Sequence, residues 1–152
     1  DINYIEKTIH EKNISFHFNI SNSTQEEIYE LKIYTLDKAI LISDIIPKIE
    51  NLGFDVIDEV TLPINRHKKK PSIFLHYFRL RTIIANSQKV QQVKNVISEA
   101  FEHIWSNKIS DDGFNKLIIA SGLSWREIII IRAICKYIRQ TGITYSQSFA
   151  EE

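Results

Sequence analysis

In 152 residues the chain has no methionine, one cysteine, three prolines and four glycines, and each shortage excludes something. A single cysteine, Cys135, closes no intrachain disulfide, so no oxidising compartment is required and a cytoplasmic setting is expected. The glycines, Gly53, Gly113, Gly122 and Gly142, never come nearer than nine positions to one another. A dinucleotide or phosphate-cradling loop needs glycines within a few positions, because the backbone must approach the phosphates closely. Neither loop is encoded. No uninterrupted apolar run exceeds four residues, Ile128–Ile131 being one of these, whereas roughly 18 are needed to span a bilayer. Charge of one sign is also lacking: 19 basic residues face 19 acidic ones, leaving no excess for nucleic acid or acidic lipid. The opening stretch, Asp1 to Lys7, is polar and does not read as a signal peptide. A start at Asp1 without methionine leads us to expect a piece of a longer polypeptide.

What is present suffices for one domain with a core, at 43% hydrophobic and 25% charged residues. Residues 2–11 read as a helix with Ile2, Ile5 and Ile9 on one stripe. Residues 14–20 alternate apolar and polar, as a half-buried strand does, and a second strand at 29–36 places Leu31, Ile33 and Thr35 on one face. Ser43 is expected to cap a helix bearing Ile42, Ile45, Ile46, Ile49 and Leu52, with Pro47 tolerated in its first turn and Gly53 as its stop. Strands are expected over 54–64 and 72–84, joined by the basic run Arg66-His67-Lys68-Lys69-Lys70. A long helix, 87–107, repeats apolar residues from Val90 to Trp105 at helical spacing. The order β-α-β-β-α from residue 28 to 109 is most of a ferredoxin-like split βαβ unit. Its fourth strand is absent after the second helix, so residues 14–20, within an N-terminal segment 1–27, are candidates to complete the sheet.

Beyond Ser110-Asp111-Asp112-Gly113 the pattern turns helical, defining a C-terminal segment 110–152. A short helix at 114–121 closes at Gly122, and Ser124-Trp125-Arg126-Glu127 is a capping box. The helix it opens carries Ile128 to Ile131, Ile134, Cys135, Tyr137 and Ile138, and is expected to be buried on more than one face. The fold class is therefore α+β, a βαββα sheet followed by a helical extension.

No catalytic constellation emerges. His10, His17, His67, His76 and His103 lack metal-ligand spacing. Cys135 lies in an apolar helix and reads as a core thiol, and Trp105 and Trp125 read as core aromatics. Asp58 and Glu59 are neighbours in a strand and point to opposite faces, while Asp111-Asp112 suits a helix N-terminus. The basic run 66–70 reads as a solvated hairpin tip, with a salt-sensitive binding module as its alternative.

Several stretches together carry a family resemblance. Leu31-Lys32-Ile33-Tyr34, the run from Leu41 through Pro47 and Gly53 to Glu59, Asp112-Gly113-Phe114-Asn115-Lys116-Leu117, Gly122-Leu123-Ser124-Trp125-Arg126-Glu127, and Arg132 to Gln140 with Tyr145-Ser146-Gln147 resemble the large-type bacterial NAD-specific glutamate dehydrogenases. The resemblance runs colinearly over about residues 28–152. It implies an ACT-like domain with helices on one face of its sheet, followed by a helical connector, from the region before the catalytic domain. The parent would oxidise L-glutamate to 2-oxoglutarate and ammonia with NAD. This piece would hold no catalytic, cofactor-binding or metal residues and would be inactive alone. Its partners would be the remaining domains and further copies in a homo-oligomer, with no nucleic acid and no membrane. The resemblance places a ligand turn at Asp37, Lys38 and Ala39. Residues 35–41 contain no glycine to admit a ligand to the backbone, so a scaffold role is expected ahead of amino-acid sensing.

Overall fold

A computed structural model describes residues 2–9, 14–21, 27–64 and 72–142. The elements are α1 (Ile2–Lys7), β1 (Ile14–Ile20), β2 (Tyr29–Leu36), α2 (Ile42–Asn51), β3 (Asp55–Ile64), β4 (Ile73–Arg81), α3 (Ser87–Trp105), a 3-10 turn (Gly113–Lys116), α4 (Leu117–Ser121) and α5 (Trp125–Gln140). They form two units. One holds residues 1–47 and 55–81; the other holds 48–54 and 82–152.

The first unit is an antiparallel sheet in the order β1-β2-β4-β3. Because β4 runs antiparallel to both neighbours, β2 and β3 are parallel strands with β4 inserted between them, which is the split βαβ arrangement. The place of the missing fourth strand, beside β2, is taken by β1 from the N-terminal side. Registered partners share a face, so Phe16 and Phe18, Tyr29, Leu31 and Ile33, and His76, Phe78 and Leu80 form one buried layer. The opposite face is mixed. Beside β1 it is covered by α1, whose Tyr4 ring stacks 4.5 Å from His17 and 6.3 Å from Tyr34. There the hydroxyls of Thr8 and Ser15 lie 2.6 Å apart, both within reach of the Tyr4 carbonyl.

A bulge at Ile57, between the registered residues Val56 and Asp58, resets the faces of β3. Without it Asp58 would oppose Phe78 in the buried layer. With it Asp58 opposes Arg79 on the other face and binds that guanidinium, while Glu59 and Thr61 join His76. The pairing with Arg79 holds the Asp58 carboxyl below its ordinary range. Asp58 and Glu59 thus do point apart, as neighbours in a strand should.

In the second unit, Asn86 caps α3 by accepting the Lys89 N–H at 3.0 Å. One stripe of that helix, Val90, Val93, Ile97, Ala100, Phe101 and Ile104, is buried. Gly122 ends α4 in the left-handed conformation, at φ +75°, and the capping box at Ser124 and Glu127 forms.

Several local expectations need correction. The isoleucine stripe of α1 is not buried: Ile2 is 73% exposed and Ile5 and Ile9 are only half-buried, and the buried residue just after the helix is Thr8, held by hydroxyl contacts. Ser43 lies inside α2, which begins at Ile42, so it is no cap, and Pro47 falls beyond the first turn. The Ser43 carbonyl that Pro47 cannot serve is on an exposed residue open to water, which makes the proline tolerable. Ile45, Ile49 and Leu52 are buried, but Ile42 is exposed. On α5 only Ile128 is fully buried. Cys135 is half-buried, so it is not a core thiol.

Candidate functional site

The turn between β2 and α2 contains Asp37, Lys38 and Ala39, all exposed. Asp37 takes the left-handed conformation, at φ +67°, that glycine would ordinarily supply. Aspartate tolerates this region better than most residues, so the turn closes without glycine. Its polar backbone is largely engaged internally. The Asp37 N–H donates to the Ser72 carbonyl at 2.8 Å, and the Lys38 N–H to the Leu36 carbonyl at 2.8 Å. The Lys38 carbonyl accepts from the Thr35 hydroxyl at 2.7 Å. The Ile40 N–H donates to His76 Nε2 at 3.0 Å.

His76 was one of five histidines without a motif, and pattern alone offered no signal for its role. In the sheet it opposes Ile33 on β2 and Thr61 on β3, and only 1% of it is exposed. Since Nε2 accepts from Ile40, the neutral ring carries its proton on Nδ1 and donates to Thr61 Oγ1 at 2.7 Å. The Thr61 hydroxyl in turn donates to the Glu59 carboxylate. Burial pushes the His76 pKa below its ordinary value, against the opposing pull of Glu59.

A second cluster lies in the other unit. Arg132 on α5 reaches Asp112 through Nε at 2.7 Å and Nη2 at 2.8 Å, and gives Nη2 also to Asn115 Oδ1 at 2.6 Å. Asn115 is fully buried and donates to the Ser110 carbonyl at 3.1 Å. Asp112 therefore does not serve the helical turn it precedes: its side chain makes no capping bond and is taken by the arginine, whose bidentate fork matches a carboxylate. Asp111 binds Asn51 Nδ2 at 2.9 Å and faces Lys48. These contacts tie segments together and leave no nucleophile and base in mutual reach.

The tryptophans sit at the margin of their unit instead of in its core. Trp105 is half-buried with the Lys48 ammonium 5.9 Å from its ring, and Trp125 packs between His103 and Arg126 with its indole N–H on Glu99. Among the described residues no group of histidine, cysteine or carboxylate side chains is arranged to hold a metal ion. None of the described helices is long and apolar enough to cross a membrane. His10, His67, the basic run 66–70 and Tyr145-Ser146-Gln147 lie outside the described residues.

The α5 surface is the largest departure from the expected burial. Ile130, Ile134 and Tyr137, spaced i, i+4 and i+7, form one stripe and are 58%, 51% and 68% exposed.

The family model for the glutamate dehydrogenase ACT3 domain matches residues 13–93, more than half of the chain. The chain belongs to the glutamate dehydrogenase ACT3 domain family. The match begins before β1 and ends inside α3, so it includes the strand contributed from the N-terminal side. Residues 109–152 match a second model, glutamate dehydrogenase helical motif 3, which takes in the Arg132 cluster and all of α5. The chain is 34% identical to an NAD-specific glutamate dehydrogenase of Halomonas elongata over 119 residues, 78% of this chain and 7% of the relative. It is 28% identical over 124 residues to the enzyme of that name from Pseudomonas aeruginosa, covering 82% of this chain and 8% of the relative. A Mycobacterium tuberculosis protein of the same name is 26% identical over 136 residues, 86% of this chain and 8% of that one. The chain thus spans under a tenth of the length of these relatives.

Proposed function

We propose that this chain is a non-catalytic scaffold and regulatory segment of a large NAD-specific glutamate dehydrogenase, acting in domain packing and subunit assembly. The parent would oxidise L-glutamate to 2-oxoglutarate and ammonia, in the cytoplasm, and would supply the partner surfaces from its other domains and subunits. The observation that carries this reading is the α5 stripe, an apolar row that the described residues leave open within the segment matching helical motif 3. NAD would be held elsewhere in the parent. The glycines here suit helix ends, Gly53 after α2 and Gly122 after α4, both at positive φ, and do not suit a phosphate cradle.

In a full-length parent, Ile130→Asp with Ile134→Asp is expected to reduce subunit assembly measured by light scattering. The same pair in this chain alone should change stability by only about 0.5 kcal/mol per site, because both side chains are already exposed. Unchanged assembly would refute the scaffold reading.

The alternative reading, an amino-acid sensor at Asp37, Lys38 and Ala39, is favoured by the left-handed Asp37, which removes the need for a turn glycine. Against it, the Asp37 and Ile40 N–H groups that would receive a carboxylate already have acceptors. A thermal scan against amino acids, 2-oxoglutarate and NAD separates the two readings. A bound ligand at 100 times its Kd adds about 2.7 kcal/mol, roughly 5–11 °C for a chain of this size. We expect no such shift, and a shift with one amino acid would establish the sensor instead.

A further inference from the structure

Nothing in the scaffold role uses His76, yet this ring is the side chain through which the sheet holds the distal half of the β2–α2 turn. We propose that His76 is a proton-sensitive latch: its neutral ring holds residues 39–41 closed through the Ile40 amide, and protonation at Nε2 releases them.

The hydrogen-bond chain has no slack. A neutral imidazole offers one donor and one acceptor. Here the acceptor, Nε2, takes the Ile40 N–H, the donor, Nδ1–H, serves Thr61, and the Thr61 hydroxyl serves Glu59. A second proton has only Nε2 to occupy, which would set N–H against N–H across 3.0 Å. The Ile40 bond then breaks, and the ring becomes a buried cation.

The charges around it do not offset that cost. From β3 the ring faces Glu59, whose Oε1 lies 3.4 Å from Nδ1. From β2 it faces Ile33, which is uncharged. Asp37 and Lys38 in the turn and Asp44 in the first turn of α2 are exposed to solvent. Burial outweighs Glu59, so the ring stays neutral to a lower pH than a free histidine.

The part released is the distal half of the turn. Asp37 remains tied to Ser72, and Lys38 to Thr35, by bonds that do not involve the ring. Residues 39–41, which lead into α2, depend on the Ile40 contact. The latch is therefore closed at neutral pH and opens on acidification below the ordinary histidine range, about 6.5.

The test is amide hydrogen exchange and long-range proton–nitrogen NMR on this chain, from about pH 7.5 to about pH 4.5. At neutral pH His76 should carry its proton on Nδ1. From about pH 6.5 down to the His76 titration midpoint the protection of the Ile40 amide should fall about tenfold per pH unit and level off below it, while the Ile33 and Phe78 amides keep theirs. In His76→Gln, which keeps an acceptor but does not titrate, that pH dependence should vanish. Should this variant not fold, Glu59→Gln replaces it: loss of the carboxylate lowers the His76 midpoint, and the opening at Ile40 must move with it. A proton on Nε2 at neutral pH, constant Ile40 protection from about pH 6.5 down to the midpoint, or a fall shared equally by Ile33 and Phe78 overturns the latch. So does a midpoint that moves in Glu59→Gln without Ile40 following.

Discussion

Replacing Asp112 with alanine should destabilise the second unit by about 3–5 kcal/mol, because it leaves a guanidinium desolvated with no carboxylate to face. The Arg132 and Asp112 side chains are 14% and 15% exposed, so water cannot readily take the place of the lost partner. Most of the penalty lies in the orphaned cation, not in the net worth of the pair. Accordingly Asp112→Ala with Arg132→Met, which removes both charges and roughly keeps the arginine stem, should recover much of the loss. The non-additivity expected for two groups in direct contact is about 0.5–3 kcal/mol. Urea denaturation of the two single variants and the double variant measures it. A cost for Asp112→Ala under about 1 kcal/mol, the value of an ordinary exposed pair, would show that the cluster is solvated.

Phe78→Ala should remove about 3–5 kcal/mol, a large share of the 5–15 kcal/mol typical of a domain. Phe78 is fully buried on β4, registered with Leu31 on β2 and Glu59 on β3. Leu62→Ala is the matched control. Leu62 is on the opposite face of the same sheet and half exposed, so its truncation should change stability by no more than about 0.5 kcal/mol. Denaturant midpoints at constant m-value give both numbers. Equal costs would mean that the bulge at Ile57 does not divide the faces of β3 as described.

Much of the architecture was legible because it rests on local periodicity. Alternation in residues 14–20 and 29–36, the 3.6-residue repeat from Val90 to Ile104 and the Ser124 to Glu127 box each express a backbone preference within one segment. The gap after the second helix, with a spare strand at the N-terminus, pointed to β1 as the strand that completes the sheet. The candidate turn at Asp37, Lys38 and Ala39 came from family resemblance, and nothing in its composition disclosed that aspartate would take the left-handed role there. Periodicity misled where burial depends on what a helix meets. The isoleucines of α1 and α5 are equally apolar at every turn, and pattern cannot say which of them find neighbours.

Sequence by itself determined the element types and their order, and excluded a nucleotide loop, an intrachain disulfide and an apolar membrane-spanning run within these residues, because these depend on residue identity and short spacings. Only the tertiary structure decided which distant residues meet. A single inserted residue, Ile57, turns Asp58 to Arg79 and brings Glu59 and Thr61 to His76; His76 then reaches 36 positions back to the Ile40 amide, and Arg132 20 positions back to Asp112. Such pairings are fixed by strand register and helix docking, in which one residue more or less reverses a side chain's face, and that information is spread over the whole chain.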